Sequence, residues 1–170
     1  TIAKGYALNA GVGKRDIMES AGSSFISSTF WTERIGYCAG LATINKMEQT
    51  ESFKDVKTKG AKIKIKWREI FDDIGISAVI QGTDGIPNFM ITSTEPLLWK
   101  TLITQLMMDK GWLASTVCYV STCHDENTLN KYFNDLHETL NWLNKQHESG
   151  NDLGQTLRGE ICMDGFKRLN

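Results

Sequence analysis

The sequence has no excess of charge of either sign and no long apolar run. Nineteen Lys and Arg residues face twenty Asp and Glu residues, so the formal net charge is -1. Such a chain gives no basis for a nucleic-acid partner or an anionic membrane surface. No stretch is apolar and long enough to cross a bilayer, and the N-terminus lacks the order of a signal peptide. We therefore expect a cytoplasmic protein whose partners are neither nucleic acid nor membrane.

The cysteines lack the spacing of a metal site. Cys38, Cys118, Cys123 and Cys162 form no Cys-x-x-Cys pair and have no companion histidine cluster. This pattern argues against zinc, and we expect no bound metal. Small, buried, reduced thiols in a reducing compartment fit better. The chain also lacks internal repeats and low-complexity tracts.

The 170 residues, 41% of them hydrophobic, suffice for one substantial core. Between residues 51 and 74 apolar residues recur every three or four positions, which predicts a long amphipathic helix. Two short apolar runs, 77–81 and 88–92, flank a glycine-rich turn and predict an antiparallel pair. Pro96 begins a predicted helix that ends near residue 110, and Asp125 is expected to cap the last long helix.

Residues 112–120 are expected to add one or two further short strands. The lysines between positions 54 and 66 alternate with acidic residues, which predicts a solvated helix face. The periodicity predicts a shared core made of the following residues: Ile63, Trp67, Ile70, Phe71, Phe89, Leu102, Leu106, Phe133, Leu136 and Leu140.

The first fifty residues have a different character. Residues 6–13 are small, apolar and glycine-rich, which favours a buried strand. A short helix is predicted at 14–19. A longer helix follows, with Thr32 or Ser28 as its expected cap.

Three segments resemble those of a known family. The chain begins with TIAK, it carries FISSTFWTERIG at residues 25–36, and it has GFKRL at 165–169. These segments resemble the Schiff-base, phosphate-contacting and terminal segments of class III, fold-type I, pyridoxal-phosphate-dependent aminotransferases. Members similar to glutamate-1-semialdehyde 2,1-aminomutase match best. The resemblance covers nearly all of this chain but only about the last two-fifths of a family member.

The resemblance implies a fold as well as a cofactor. It implies an α/β (α+β) C-terminal small domain, with an antiparallel sheet and helices on one face, in residues 51–148. Residues 1–50 would be a remnant of the large domain that binds pyridoxal 5'-phosphate, together with a dimer-interface segment, and 149–170 a tail. The implied activity transfers an amino group between small amino, keto or amino-sugar compounds through an internal aldimine.

The resemblance also assigns roles to residues. Lys4 would be the catalytic lysine, whose unprotonated amine condenses with the cofactor and then moves a proton. Ser28 and Thr29 would bind the phosphate of the neighbouring subunit's cofactor, which implies a homodimer. Substrate contacts would come from Glu33, Arg34 and His124.

Each of these residues also has a simpler interpretation. Lys4 alone would be an ordinary surface lysine, and Ser28 and Thr29 would be helix-capping residues. Glu33 and Arg34 would form surface ion pairs with residues four positions away. His124, just before the last helix, would be structural.

The sequence departs from the family in ways that bear on activity. About four residues usual in the family are missing between Lys4 and Gly5. Thr116 stands in the segment where the aminomutases carry a glutamate, which favours an aminotransferase over a strict aminomutase. The carboxylate for the pyridinium nitrogen, the stacking aromatic and the phosphate-binding helix start are also not found here. The alternative is therefore a non-catalytic, stand-alone α+β dimerisation or binding module.

Overall fold

The computed structural model describes residues 2–26, 29–30, 32–163 and 165, and these form two compact units, Thr1–Phe53 and Lys54–Asn170. The helices and strands follow in this order: α1 (Arg15–Met18), a 3-10 helix (Glu19–Ser23), α2 (Arg34–Thr50), α3 (Ser52–Ile74), β1 (Ala78–Gln81), β2 (Asn88–Ile91), α4 (Pro96–Asp109), α5 (Glu126–Glu148) and a second 3-10 helix (Leu153–Thr156). Within the described ranges, no helix is both long and apolar enough to cross a membrane.

The predicted strand at residues 6–13 is wrong. This segment is irregular and largely exposed, with Tyr6 50% and Val12 89% accessible. A strand needs a neighbour that pairs with its backbone amides and carbonyls, and the described residues of the first unit contain no second strand. The short helix predicted at 14–19 is present as α1 and the 3-10 helix that follows it.

Two glycines let α2 approach the N-terminal segment closely. A Cβ on Gly36 would lie 2.6 Å from the carbonyl oxygen of Ala7, and one on Gly40 would lie 2.5 Å from the Leu8 side chain. Only glycine permits this approach without displacing its neighbours. The buried face of α2 is accordingly formed by Gly36 and Gly40.

The helix predicted from residue 51 is confirmed as α3. Glu51, with φ of 48°, separates it from α2 in a left-handed conformation, and Gly75, with φ of 78°, follows its last residue. Left-handed residues of this kind commonly terminate helices because they stop the hydrogen-bond ladder. The predicted start of the last helix is also confirmed, because the Asp125 carboxylate accepts a hydrogen bond of 2.7 Å from the Thr128 amide.

The predicted antiparallel pair is present, with β1 and β2 in a register that places Val79 opposite Met90. The further strands expected at 112–120 are reduced to a single bridge between Asn88 and Val117. Pro87 gives the physical reason. Its carbonyl accepts from the Cys118 amide at 2.9 Å, but proline has no N–H to return the bond, so the ladder does not propagate.

The core lies between this sheet and helices α3, α4 and α5. Trp67 is fully buried, meets Phe89 edge-on at 4.9 Å and donates its indole N–H to the Tyr132 hydroxyl at 3.1 Å. Every predicted core residue is buried except Leu106, which is partly buried and packs against the cluster. The predicted core is therefore confirmed.

The outer face of α3 is solvated and ion-paired, as its charge pattern predicts. Lys59 pairs with Asp55 at 2.8 Å, and Lys64 pairs with Asp84 at 2.6 Å. Gly60 lies one helical turn before Lys64 on the same side of α3, and a Cβ there would be only 1.6 Å from the Asp84 carbonyl oxygen. The hairpin turn is thus seated directly on the α3 backbone.

The second face of the sheet is apolar yet exposed. Val79 is 47% and Met90 50% accessible, and Val117 and Tyr119 follow on the neighbouring segment at 38% and 74%. A sheet that is apolar on both faces is typical of one covered by two layers.

The described part of the tail is docked on α4. The Gln105 side chain donates to the carbonyl of Thr156 and accepts from the amide of Arg158, both at 2.9 Å, and the Cys162 amide donates to Thr101 at 3.0 Å. The terminal motif at 165–169 lies outside the described residues, except for Gly165.

Candidate functional site

Lys4 lies on a turn with unusual backbone geometry. Its φ is 58°, in the left-handed region, while the neighbouring Ala3 is 1% accessible. The turn is closed by a 3.1 Å bond from the Tyr6 amide to the Ala3 carbonyl, and a second bond joins the Ile2 amide to the Leu8 carbonyl. A non-glycine residue in this region costs of the order of 1 to 3 kcal/mol and is found preferentially at functional positions.

The glycine face of α2 fixes the segment that follows this turn. Ala7 and Leu8 contact Gly36 and Gly40, so the turn that carries Lys4 is attached to the helix rather than to a strand. The Lys4 side chain itself is exposed. A lysine on a packed turn can present its amine to a ligand while its backbone stays fixed.

Thr29 lies in a turn just before α2. The Glu33 amide donates to the Phe30 carbonyl at 3.3 Å, and the helix begins at Arg34. The expected cap by Thr32 is wrong, because Glu33 occupies the cap position and no described side chain bonds the first-turn amides. Ser28, the other expected cap and phosphate ligand, lies outside the described residues.

Arg34 places a positive charge at the positive end of the α2 dipole. Basic residues are unfavourable there, whereas an anion is stabilised by the dipole and the free amides. Among the described residues, Glu33 and Arg34 do not form the expected surface ion pairs, because the residues four positions on are Tyr37 and Cys38. The N-terminal end of α2 therefore has the electrostatics of an anion site.

His124 belongs to the second unit, in the turn before α5. Its Nδ1 accepts a bond of 3.3 Å from the Ser121 amide, and its own amide donates to the Ser121 carbonyl at 3.1 Å. The neutral ring therefore carries its proton on Nε2, which is the nitrogen left for other partners. Asp125 follows, and the hydrogen bond from the Thr128 amide lowers the pKa of its carboxyl group.

His124 is one wall of a groove of about 220 Å³. Its lining residues are largely apolar: Trp112, Leu113, Ala114, Val117, Cys118, Tyr119, His124, Thr128, Leu129 and Tyr132. Burial raises the pKa of the Cys118 thiol and also that of the Tyr132 phenol. Both groups stay protonated at neutral pH and therefore add no charge to the groove.

Sequence reasoning did not select Cys118, Trp112 or Tyr132 as lining residues. The apolar residues along 112–120 were the available signal, but they were interpreted only as short strands. Trp112 is held by a 2.7 Å bond from its indole N–H to Asp135, which lowers the pKa of that carboxyl group.

In the described ranges, no group of three or more His, Cys, Asp or Glu side chains is arranged to hold a metal ion.

Comparison with known proteins places this fold among transaminases. No family model matches the chain. It is 30% identical over 105 residues to the 3-aminobutyryl-CoA aminotransferase of Cloacimonas acidaminovorans (strain Evry), covering 61% of this chain and 25% of that protein. The chain thus spans about a quarter of the curated relative that it matches.

Two solved structures have a similar fold. The PLP internal aldimine form of the FumI protein from Sphingopyxis sp. MTA144 superposes with a TM-score of 0.64 at 13% identity, over 81% of this chain and 34% of that one. An omega-transaminase from Sphaerobacter thermophilus gives 0.59 at 16% identity, over 75% and 34%. The mixed fold of this chain, helices with a small antiparallel sheet, matches the C-terminal part of transaminase folds.

Proposed function

We propose that this chain is the C-terminal part of a class III, pyridoxal-phosphate-dependent aminotransferase that works in the cytoplasm. The observation that carries the proposal is the agreement of two independent likenesses, one in sequence to an aminotransferase and one in fold to two transaminases. Residues 1–50 would be the remnant of the large domain, 51–148 the small domain and 149–170 the tail.

Exposed apolar surface supports the view that a larger structure surrounds these residues. The second sheet face carries Val79 and Met90 in the open. On α2, Leu41 and Ile35 are 62% and 44% accessible on sides away from the buried glycines. A helix that is apolar on several sides is typical of a protein interior.

The residues present fit the cofactor in part. Lys4 would supply the amine that holds its aldehyde and would then move a proton at the substrate carbon. Ser28, Thr29 and the first amides of α2 would bind the phosphate of the neighbouring subunit's cofactor. When bound, pyridoxal phosphate supplies an electron sink. The contacts to its ring would come from residues outside this chain.

The substrate would be a small amino, keto or amino-sugar compound. Arg34 would meet a substrate carboxylate, Glu33 an amino group, and His124 would contribute its Nε2 proton. An aminotransferase is favoured over an aminomutase because Thr116, which is 7% accessible, offers no carboxylate.

The homodimer would use the segment before α2. Phe25 is 95%, Ile26 60% and Phe30 52% accessible, which is unusual for large apolar side chains at a solvated surface. A stable dimer buries on the order of 1,600 Å² in total. Sedimentation that finds only monomer for the Phe25→Ser variant, and dimer for the parent, would support this assignment.

Reduction with borohydride tests the role of Lys4. The chain is mixed with pyridoxal phosphate, reduced and digested, and the modified lysine is identified by mass spectrometry. We expect label on Lys4 that is lost in Lys4→Ala and kept in Lys14→Ala, an exposed lysine of the same unit. Equal labelling of both lysines would contradict a specific site.

The role of Thr29 is tested by titration with pyridoxal phosphate. Loss of a charge-assisted hydrogen bond of roughly 1.5 to 3 kcal/mol should weaken binding by about 10- to 150-fold in Thr29→Ala. Thr32→Ala is the matched control, because Thr32 is also exposed and caps nothing. The titration is done on a reconstituted full-length dimer, where the effect belongs to the partner's site. An unchanged affinity of Thr29→Ala for pyridoxal phosphate would contradict the assignment of Thr29 as a phosphate-binding residue.

The second candidate is a non-catalytic dimerisation or binding module. It is favoured by the second unit, which has its own fully buried core around Trp67 and Leu136, and by the direct Lys4-Gly5 junction. This candidate predicts a colourless protein with no labelled lysine, whereas the aminotransferase predicts a yellow complex that borohydride bleaches.

A further inference from the structure

Lys59 contacts the turn that carries His124. Its Nζ donates to the Thr122 carbonyl at 2.9 Å and to the carboxylate of Asp55, one turn back on α3, at 2.8 Å. Only 20% of the Lys59 side chain is accessible, against 37% for Lys62 on the same helix. Lys59 therefore joins α3 to this turn, which a solvated surface lysine does not do.

The contact falls on the central peptide group of the turn. The His124 amide donates to the Ser121 carbonyl at 3.1 Å, so the turn closes over four residues and its central peptide lies between Thr122 and Cys123. Lys59 binds the carbonyl of that peptide, and its N–H donates to the Ser121 hydroxyl at 3.2 Å. The common turn types differ mainly in the direction of the central peptide. Because both of its polar groups are bonded, the turn is held in one form.

The same turn fixes the ring of His124. The Ser121 amide donates to Nδ1 at 3.3 Å, and a ring nitrogen that accepts such a bond leaves the proton of the neutral imidazole on Nε2. Among the residues that the structure describes, Nε2 itself has no hydrogen-bond partner. The ring lines the groove of about 220 Å³, so a ligand there meets a donor from His124 and no acceptor.

We propose that Lys59 is a positioning residue for His124, and that the fixed Nε2–H selects an acceptor oxygen of the substrate. A keto, carboxyl or hydroxyl oxygen satisfies this donor, whereas an ammonium group brings a second donor against it. The inference rests on the proposed function, because that function makes His124 a substrate contact. It adds which substrate group His124 receives and which residue holds the ring in place.

Asp125, which follows His124, is already engaged. Its carboxylate accepts a bond of 2.7 Å from the Thr128 amide. That bond lowers the pKa of Asp125 most, and the nearby positive charge of Lys59 lowers it further. Lys59 thus offsets the negative charge beside His124, which would otherwise favour an ammonium group.

Nitrogen NMR of the histidine rings tests the positioning. The chain has three histidines, so a sample labelled with ¹⁵N-histidine gives few signals. At alkaline pH, where histidine is generally neutral, protonated and bare ring nitrogens resonate far apart. We expect His124 in the Nε2–H form in the parent and as a mixture of both forms in Lys59→Met. His137, whose Nε2 contacts Asp73, and His147, which meets the Trp99 ring, should be unchanged.

Two further variants make this test specific. Lys62→Met removes a lysine of the same helix that pairs with Glu126, two residues after His124, and should leave His124 as in the parent. Lys59→Arg keeps a cation that can donate to the Thr122 carbonyl and should retain the Nε2–H form. An Nδ1–H form of His124 in the parent would overturn the proposal. So would a His124 spectrum that Lys59→Met leaves unchanged, or that Lys62→Met changes equally.

Two small probes of similar shape test the selectivity in the parent chain. Butan-2-one carries a carbonyl oxygen where sec-butylammonium carries its amino group, so the two differ as a keto compound differs from its amine. On titration, we expect butan-2-one to shift the Nε2–H signal of His124 and sec-butylammonium to leave it in place. No shift with the ketone, or an equal shift with the ammonium ion, would contradict the selection of an acceptor oxygen.

Neither measurement involves pyridoxal phosphate or Lys4. If borohydride fails to label Lys4 while the His124 ring depends on Lys59 and responds to the ketone, the aminotransferase function fails and the positioning of His124 by Lys59 stands. The reverse result, a labelled Lys4 with a His124 ring that is insensitive to Lys59→Met, removes only the positioning role.

Discussion

Replacing Trp67 with alanine tests whether α3 is anchored in the core as described. The side chain is fully buried, contacts Phe89 edge-on and donates to Tyr132. Removal of a buried tryptophan costs about 3 to 5 kcal/mol through lost transfer energy and the remaining cavity. That is a large share of the roughly 5 to 15 kcal/mol that stabilises a typical domain.

The contributions of ring and hydrogen bond are separable. Trp67→Phe keeps an aromatic ring near Phe89 but leaves the Tyr132 hydroxyl without its donor, so its loss should be roughly 1 to 2 kcal/mol. Trp142→Ala, which removes a 42% accessible tryptophan from α5, should cost about 1 kcal/mol or less.

Urea unfolding followed by far-ultraviolet circular dichroism provides the measurement. With a slope of about 1.5 kcal/mol per molar urea, Trp67→Ala should lower the midpoint by about 2 to 3 M. We expect the highest urea midpoint for Trp142→Ala, a lower one for Trp67→Phe and the lowest for Trp67→Ala. This order is expected because Trp67 is more deeply buried than Trp142. If Trp67→Ala and Trp142→Ala shifted the midpoint equally, α3 would not face the core.

Three further changes address the hairpin and the last helix. Gly60→Ala should destabilise by about 1 to 3 kcal/mol in thermal melts, although alanine favours helix, because its Cβ would meet the Asp84 carbonyl; a melting point equal to the parent's would contradict that contact. Lys64→Met removes the ion pair to Asp84 and the 3.5 Å bond from Nζ to the Gly82 carbonyl and should cost about 1 kcal/mol or less by the same measurement. Asp125→Asn keeps a capping oxygen for Thr128 but cannot titrate. The folded pKa of Asp125 lies below its unfolded value, so its stabilisation is present above the unfolded pKa and is lost as pH falls through the folded one. Acid melts of Asp125→Asn should therefore lose less stability than those of the parent, and parallel curves would argue against the cap.

The second unit could be predicted from sequence because its patterns are local. The apolar stripe that contains Ile63, Trp67 and Ile70 predicts α3, and the capping residue Asp125 predicts the start of α5. The segment 112–120 was predicted less well, since the consequence of Pro87 depends on which strand it faces. That pairing is a tertiary property.

The first unit was predicted less well for a related reason. Residues 6–13 have the composition of a buried strand, but burial and pairing require neighbours that the described chain does not contain. The prediction that Thr32 caps α2 is wrong because Glu33 occupies the N-cap position. The roles of Lys4 and Thr29 came from the family resemblance alone, and they stay predictions.

The contact between Gly60 and the hairpin turn also constrains how this sequence can vary. With the Asp84 carbonyl against the α3 backbone, no residue with a side chain fits at position 60 unless the turn moves away. Position 60 and the length of the turn can therefore change only together. Among natural relatives we expect glycine at 60 wherever the turn has this length, and other residues there only in chains whose turn carries an insertion or deletion.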